Sequence, residues 1–163
     1  FRYLPRSYQI GPADPIAREK IHHAATIAGM AFANSFLGLC HSMAHKLGGA
    51  FNIPHGIANA VLLPYVMEYN APATGEKYRE IARAMGVANV DAMSIEEARK
   101  AAVDAVRKLS VDVGIPQKMR ELPSVKEEDL PALAEMSFDD VCKGGNPRDT
   151  SVAEILDIYR NAF

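Results

Sequence analysis

Three histidines, His41, His45 and His55, stand close together between Gly38 and Gly56. His41 and His45 are spaced i, i+4, which on a helix puts both imidazoles on one face. That spacing suits a divalent transition metal. It lacks the glutamate of the H-E-x-x-H zinc protease motif, since Ser42 stands in that position. His55 follows Pro54, which fixes the local backbone, and precedes Gly56 at a helix start. A tight turn at Gly48-Gly49 can fold His55 back towards His41. Three converging imidazoles point to a metal centre, and imidazole suits iron(II) or zinc. The competing reading is structural: buried histidines satisfied by backbone groups or water. Spacing alone leaves both readings open. His22 and His23 are adjacent, so at most one faces inward, and both read as ordinary helix histidines.

The elements around these residues are unusually free of charge. From Ile21 to Met67 the only formally charged residue is Lys46. Such a run predicts deep burial. Asp14-Pro15 opens a helix, with Asp as N-cap and Pro at the first helical position. The small residues that follow, among them Ala24, Ala25, Ala28, Gly29, Ala31 and Ala33, predict a central helix buried nearly all round and ending near Gly38. A second helix is expected from about Leu39 to Leu47, stopped by Gly48-Gly49. A third should run from His55 or Gly56 to about Tyr69, with Pro64 inside it. Beyond Asn70 the chain reads as scaffold. An amphipathic helix spans Glu76 to Met85. Capping-box patterns begin at Ser94 (with Glu97), Ser124 (with Glu127) and Ser151 (with Glu154). No strand alternation or internal repeat is evident. The fold class expected is all-α, with residues 1–14 as an extended lead-in and residues 15–163 as a helical metal-binding domain.

Composition narrows the function class. The 163 residues suffice for a domain with a real core, and the net charge of −2 gives no electrostatic support for a nucleic-acid partner. Two cysteines, Cys40 and Cys142, without a CxxC pair argue against a disulfide framework and fit a reducing compartment. No signal peptide pattern is visible, so the expectation is cytoplasmic. His22, His23, Thr26, Asn34, Ser35, His41, Ser42 and His45 interrupt the uncharged run, which argues against a membrane span.

The motif from Gly29 through Met-Ala-Phe-Ala-Asn-Ser-Phe-Leu-Gly-Leu-Cys-His-Ser-Met-Ala-His-Lys-Leu-Gly to Gly49, followed by Pro54-His-Gly-Ile-Ala-Asn-Ala60, resembles the signature of the iron-containing (group III) alcohol dehydrogenases. The likeness extends over nearly the whole chain, including Gly144-Gly-Asn-Pro-Arg148. It implies the helical C-terminal domain of the dehydroquinate synthase-like fold. It also implies NAD(P)-dependent interconversion of small primary alcohols and aldehydes in a full-length protein that forms a homo-oligomer. One aspartate and three histidines hold the metal in that family. The resemblance places two of those histidines on His41 and His55, and places His45 beside the nicotinamide and substrate. Phe32 and Cys142 fall on positions that line the substrate pocket. The remaining two ligands and the dinucleotide domain would lie before Phe1, which implies that this stretch alone is not a competent enzyme. The rival reading is a non-enzymatic helical assembly domain with structural histidines.

Overall fold

In the computed structural model, which describes all 163 residues, the chain forms eight α-helices and no strand, as expected for an all-α protein. These are α1 (Leu4–Ile10), α2 (Pro15–Ser35), α3 (Leu39–Phe51), α4 (His55–Asn70), α5 (Lys77–Ala84), α6 (Ile95–Asp112), α7 (Leu130–Phe138) and α8 (Val152–Ala162). Short 3-10 turns link several of them. Two capping boxes form as the sequence predicts: Ser94 and Glu97 open α6, and Ser151 and Glu154 open α8, each pair exchanging side-chain and backbone hydrogen bonds. Asp14 caps α2 by accepting from the Ala17 N–H at 2.9 Å, and Arg6 pairs with the same carboxylate.

Four expectations are corrected. The lead-in is not extended: Pro5 sits in the first turn of α1, where no N–H is needed, and a 3-10 turn at Gly11–Ala13 follows. The Ser124 box does not form. Ser124 takes a left-handed φ of 65°, and the cap shifts to Asp129, which accepts from the Lys126 N–H ahead of α7. Gly48-Gly49 does not stop α3, which continues to Phe51 and ends where Asn52 takes a left-handed φ of 54°. The largest correction concerns α2. Its apolar residues are exposed, Ile27, Met30 and Phe32 among them, and Ala17 is its only buried residue. Phe36, with a φ of 62°, and Leu37-Gly38 turn the chain by 110° between α2 and α3. Beyond that turn α2 packs chiefly on α1 and the Gly11–Ala13 turn, so the uncharged run is buried only in its second half. No single helix is long and apolar enough to cross a membrane.

The main core joins α3, α4, α7 and α8. Leu39, Met43 and Leu47 from α3 meet Val61 and Leu62 from α4, Leu130 and Leu133 from α7, and Ile155 and Tyr159 from α8. A smaller cluster packs α5 and α6 on Met67 through Tyr78, Ala82, Ala98 and Val103. Each fully buried Leu or Met contributes roughly 1.5–3 kcal/mol. Because positions 39, 43 and 47 fix one face of α3 in the core, positions 41 and 45 must point away from it. The core therefore sets the bearing of the two histidines.

Beneath that face lies a buried polar knot. The Tyr159 hydroxyl donates to the Met43 carbonyl at 2.9 Å and accepts from the Ser137 hydroxyl at 2.9 Å, which can turn instead to the Leu133 carbonyl at 2.7 Å. This ties α7 and α8 to α3. Tyr159→Phe keeps the ring but deletes the donor, and it should cost about 1–2 kcal/mol. Chemical denaturation with unchanged helical circular dichroism reads this out; an unshifted midpoint would remove the knot's structural role.

The segment after α7 reaches back to the start of α3. Asp140 caps a 3-10 turn at Val141–Gly145 by accepting from the Cys142 N–H at 2.9 Å. Asn146 then pairs amide to amide with Asn70 at 2.8 and 2.9 Å and accepts from the Leu39 N–H. Arg148 donates to the Tyr69 carbonyl and reaches Glu154. One loop thus joins the N-terminus of α3, the C-terminal end of α4 and the start of α8.

Candidate metal centre

The side of α3 that faces away from the core carries His41 and His45, and the short Asn52-Ile-Pro54 connection brings His55, the first residue of α4, against them. The ring centroids form a triangle: 5.4 Å from His41 to His55, 5.5 Å from His45 to His55 and 6.0 Å from His41 to His45. Separations this short let nitrogens about 2.0–2.1 Å from a shared ion come from two rings at once. The turn that folds His55 back comes three residues later than Gly48-Gly49, at Asn52.

His41 is half-buried, and its pKa is lowered, first by burial and then by the neighbouring His55 and His45 rings. Holding the ring neutral favours metal over proton. The His55 Nε2 lies 3.2 Å from the Asn59 side-chain amide, which also donates to the His55 carbonyl. Ligation through that nitrogen would exchange one neutral hydrogen bond, worth about 1 kcal/mol, for a coordination bond. The donor set at His41 and His55 therefore fits a transition metal.

His45 has a different neighbourhood. Its Nδ1 lies 3.4 Å from Asp140 Oδ2, and the Lys46 Nζ lies 2.8 Å from the same oxygen. Burial alone would raise the Asp140 carboxyl, but the Lys46 ammonium and the Cys142 amide outweigh it and hold the pKa at about 2. His45, Asp140 and Cys142 place their ligand atoms within 4.8 Å of one another. As a cation site this group is compromised, because an ammonium already occupies the carboxylate and would repel a second positive charge. The Cys142 thiol is also pushed up, by burial and by Asp140, away from the thiolate a metal needs.

Phe32 lies beside His41, with ring centroids 6.4 Å apart, although it is exposed. All five residues singled out in the sequence thus come together, Phe32 on the His41 side and Cys142 on the His45 side. His22 and His23 stay apart from them on the exposed surface of α2. Cys40 faces inward; its thiol donates to the Asn59 carbonyl, and burial pushes its pKa up to about 12. The sequence reading missed Asp140, which is separated from His45 by 95 residues. Its one signal was Lys46, a lone charge in an uncharged run that calls for a partner. A cleft of about 680 Å³, lined by Leu4, Pro54, Gly56, Ile57, Leu63 and Leu109, reaches the start of α4 but takes in none of the three histidines.

Comparison with known proteins bears on this geometry. The family model described as the Fe-containing alcohol dehydrogenase family, C-terminal, matches residues 1–163. The chain is 55% identical over 150 residues to the lactaldehyde reductase of Escherichia coli (strain K12), covering 92% of this chain and 39% of that protein. It is 49% identical over 147 residues to the 1,3-propanediol dehydrogenase of Citrobacter freundii, covering 90% of this chain and 38% of that protein. Among solved structures, a 1,3-propanediol oxidoreductase superposes with a TM-score of 0.94 at 46% identity, over 99% of this chain and 42% of that one. The chain therefore spans about two fifths of the length of these relatives.

Proposed function

Because the chain belongs to the Fe-containing alcohol dehydrogenase family, as its C-terminal helical domain, we propose that it carries half of a metal centre for the NAD(P)-dependent interconversion of small primary alcohols and aldehydes. The observation that carries this reading is the convergence of His41, His45 and His55 from two helices onto one open face. His41 and His55 are the metal ligands. His45 is set apart from them by the Lys46 ammonium, which shares its carboxylate and repels a cation bound at that ring. Bound by His41 and His55, iron(II) or zinc would supply Lewis-acid polarisation of the alcohol or carbonyl oxygen.

The chain's own residues do the rest. His45 orients the nicotinamide end and exchanges the alcohol proton. Phe32 and Cys142 border the substrate from opposite sides, and the Phe32 ring keeps water from the His41 side. The other ligands and the nucleotide-binding half are contributed from outside residues 1–163, so this chain alone is not competent. The full-length protein works as a homo-oligomer in the cytoplasm, with no membrane or nucleic-acid partner.

The test is metal content and turnover together. In the full-length protein, His45→Ala should keep its metal and lose about a hundredfold in kcat for a short primary alcohol. The rate of nicotinamide reduction measures the turnover and elemental analysis the metal. Unchanged kcat and KM would remove the catalytic role, and loss of metal would make His45 a ligand. A second reading, a helical assembly module, draws on the exposed apolar residues of α2. It is favoured only if no metal is bound at all.

A further inference from the structure

We propose that Asp140 is a positioning residue for His45, holding the Nδ1–H of its imidazole so that Nε2 is the nitrogen that exchanges the substrate proton. The inference rests on the alcohol dehydrogenase reading above and deepens it. Its basis is geometric. Asp140 Oδ1 accepts from the Cys142 N–H at 2.9 Å, while Oδ2 lies 2.8 Å from Lys46 Nζ and 3.4 Å from His45 Nδ1. With both oxygens held, the carboxylate cannot rotate away from the ring. The residue is also fixed in the chain, because it caps the Val141–Gly145 turn.

A neutral imidazole carries its proton on one nitrogen only, and the hydrogen bond made by one nitrogen decides the role of the other. A carboxylate accepts and cannot donate, so its presence at Nδ1 selects the Nδ1–H tautomer. Nε2 then keeps a lone pair. In alcohol oxidation the O–H bond breaks, its proton passes to Nε2 and the electron pair stays on oxygen. A bound nicotinamide cofactor would supply the acceptor for the carbon-bound hydride. The imidazolium formed is paired with the Asp140 carboxylate, which remains ionised throughout. In aldehyde reduction the same proton returns from Nε2. Lys46 has a distinct part. It contacts the same oxygen as His45, so it neutralises some of the carboxylate's charge and competes for its lone pairs.

That competition separates a positioning role from a merely structural ion pair. Asp140→Asn and Lys46→Met both break the Asp140–Lys46 pair, but only the first takes the carboxylate from His45. In the zinc-loaded full-length protein, nitrogen NMR of labelled histidine should show His45 as the Nδ1–H tautomer in the native chain. Lys46→Met should retain that tautomer, and Asp140→Asn should show a mixture. With metal content unchanged, Asp140→Asn should lower kcat about tenfold to a hundredfold, while KM for the alcohol stays within about threefold. Lys46→Met leaves the carboxylate on His45, so it should lower kcat by clearly less than Asp140→Asn does. Equal losses in both variants, or a native tautomer in Asp140→Asn, would overturn the proposal. The tautomer is read without turnover. If the native protein oxidises no alcohol, the functional reading falls, while the NMR comparison still decides whether Asp140 holds His45.

Discussion

His41→Ala and His55→Ala in the full-length protein are each expected to abolish tight metal binding, and turnover with it. Their rings lie 5.4 Å apart, and neither has an acidic side chain or an ammonium in contact. Removing the partner of a ligating histidine costs about 10–100-fold in metal affinity. Removing the ligand itself must cost more, since a coordination bond is lost outright and nothing nearby replaces it. His45 is the nearest imidazole, but moving a cation towards it brings the ion closer to the Lys46 ammonium. Elemental analysis after dialysis against a weak chelator measures the outcome. Stoichiometric metal retained in either variant would remove that histidine from the ligand set. The two variants should also differ in apo-protein stability. His55 is exposed and its truncation is nearly free. His41 is half-buried, so its truncation loses some packing. Any difference in metal content between the variants therefore needs a denaturation control before it is assigned to ligation.

Local chemistry was readable wherever the determining contacts are close in sequence. Ser94 with Glu97 and Ser151 with Glu154 cap helices through groups three residues apart, and both boxes form. The i, i+4 pair His41 and His45 shares a face because the core residues Leu39, Met43 and Leu47 fix the rotation of α3. Reading failed where the determinant is distant or the backbone has alternatives. Ser124 offers the same cap pattern, but its backbone is left-handed, and the Lys126 N–H is taken by the Asp129 carboxylate instead. Gly48 and Gly49 are compatible with a helix stop, yet a helix costs each only about 1 kcal/mol relative to alanine. Here α3 runs on, and Asn52 supplies the left-handed residue.

The apolar face of α2 illustrates a different limit. Hydropathy states that a segment prefers to leave water; it does not state what it packs against. Within residues 1–163 the 110° turn before α3 carries Ile27, Met30 and Phe32 away from the four-helix core. Asp140 shows the same limit at the site. Nothing near it in sequence marks it as the partner of His45, and only the docking of the loop after α7 brings the two together. Lys46 was the better clue, because an isolated charge among apolar residues needs an opposite charge somewhere in the fold.

That docking depends on one missing methyl group. A Cβ at Gly145 would lie 1.9 Å from the Leu37 carbonyl oxygen and 3.1 Å from both the Leu37 carbonyl carbon and Phe36 Cβ. The closest atom is backbone, so no side chain can rotate to make room. The adjoining Gly38–Leu39 peptide is held too, because Asn146, next to Gly145, accepts from the Leu39 N–H. Gly145→Ala must therefore push the loop off α3 or distort the entry to α3. Overpacking costs roughly 1–3 kcal/mol, and a backbone clash this close belongs at the upper end. For a domain of this size a loss of about 3 kcal/mol lowers Tm by roughly 6–12 °C. Gly144 is the control, since a Cβ there meets nothing within 4 Å; Gly144→Ala should stay within about 0.5 kcal/mol. The loop also carries Asp140 and Cys142, so Gly145→Ala should weaken the hold on His45 and lower kcat even at temperatures where the protein stays folded. Equal melting temperatures for the two alanine variants would mean that the loop does not need this close approach. A lower Tm with native kcat would mean that the loop stabilises the fold without positioning His45.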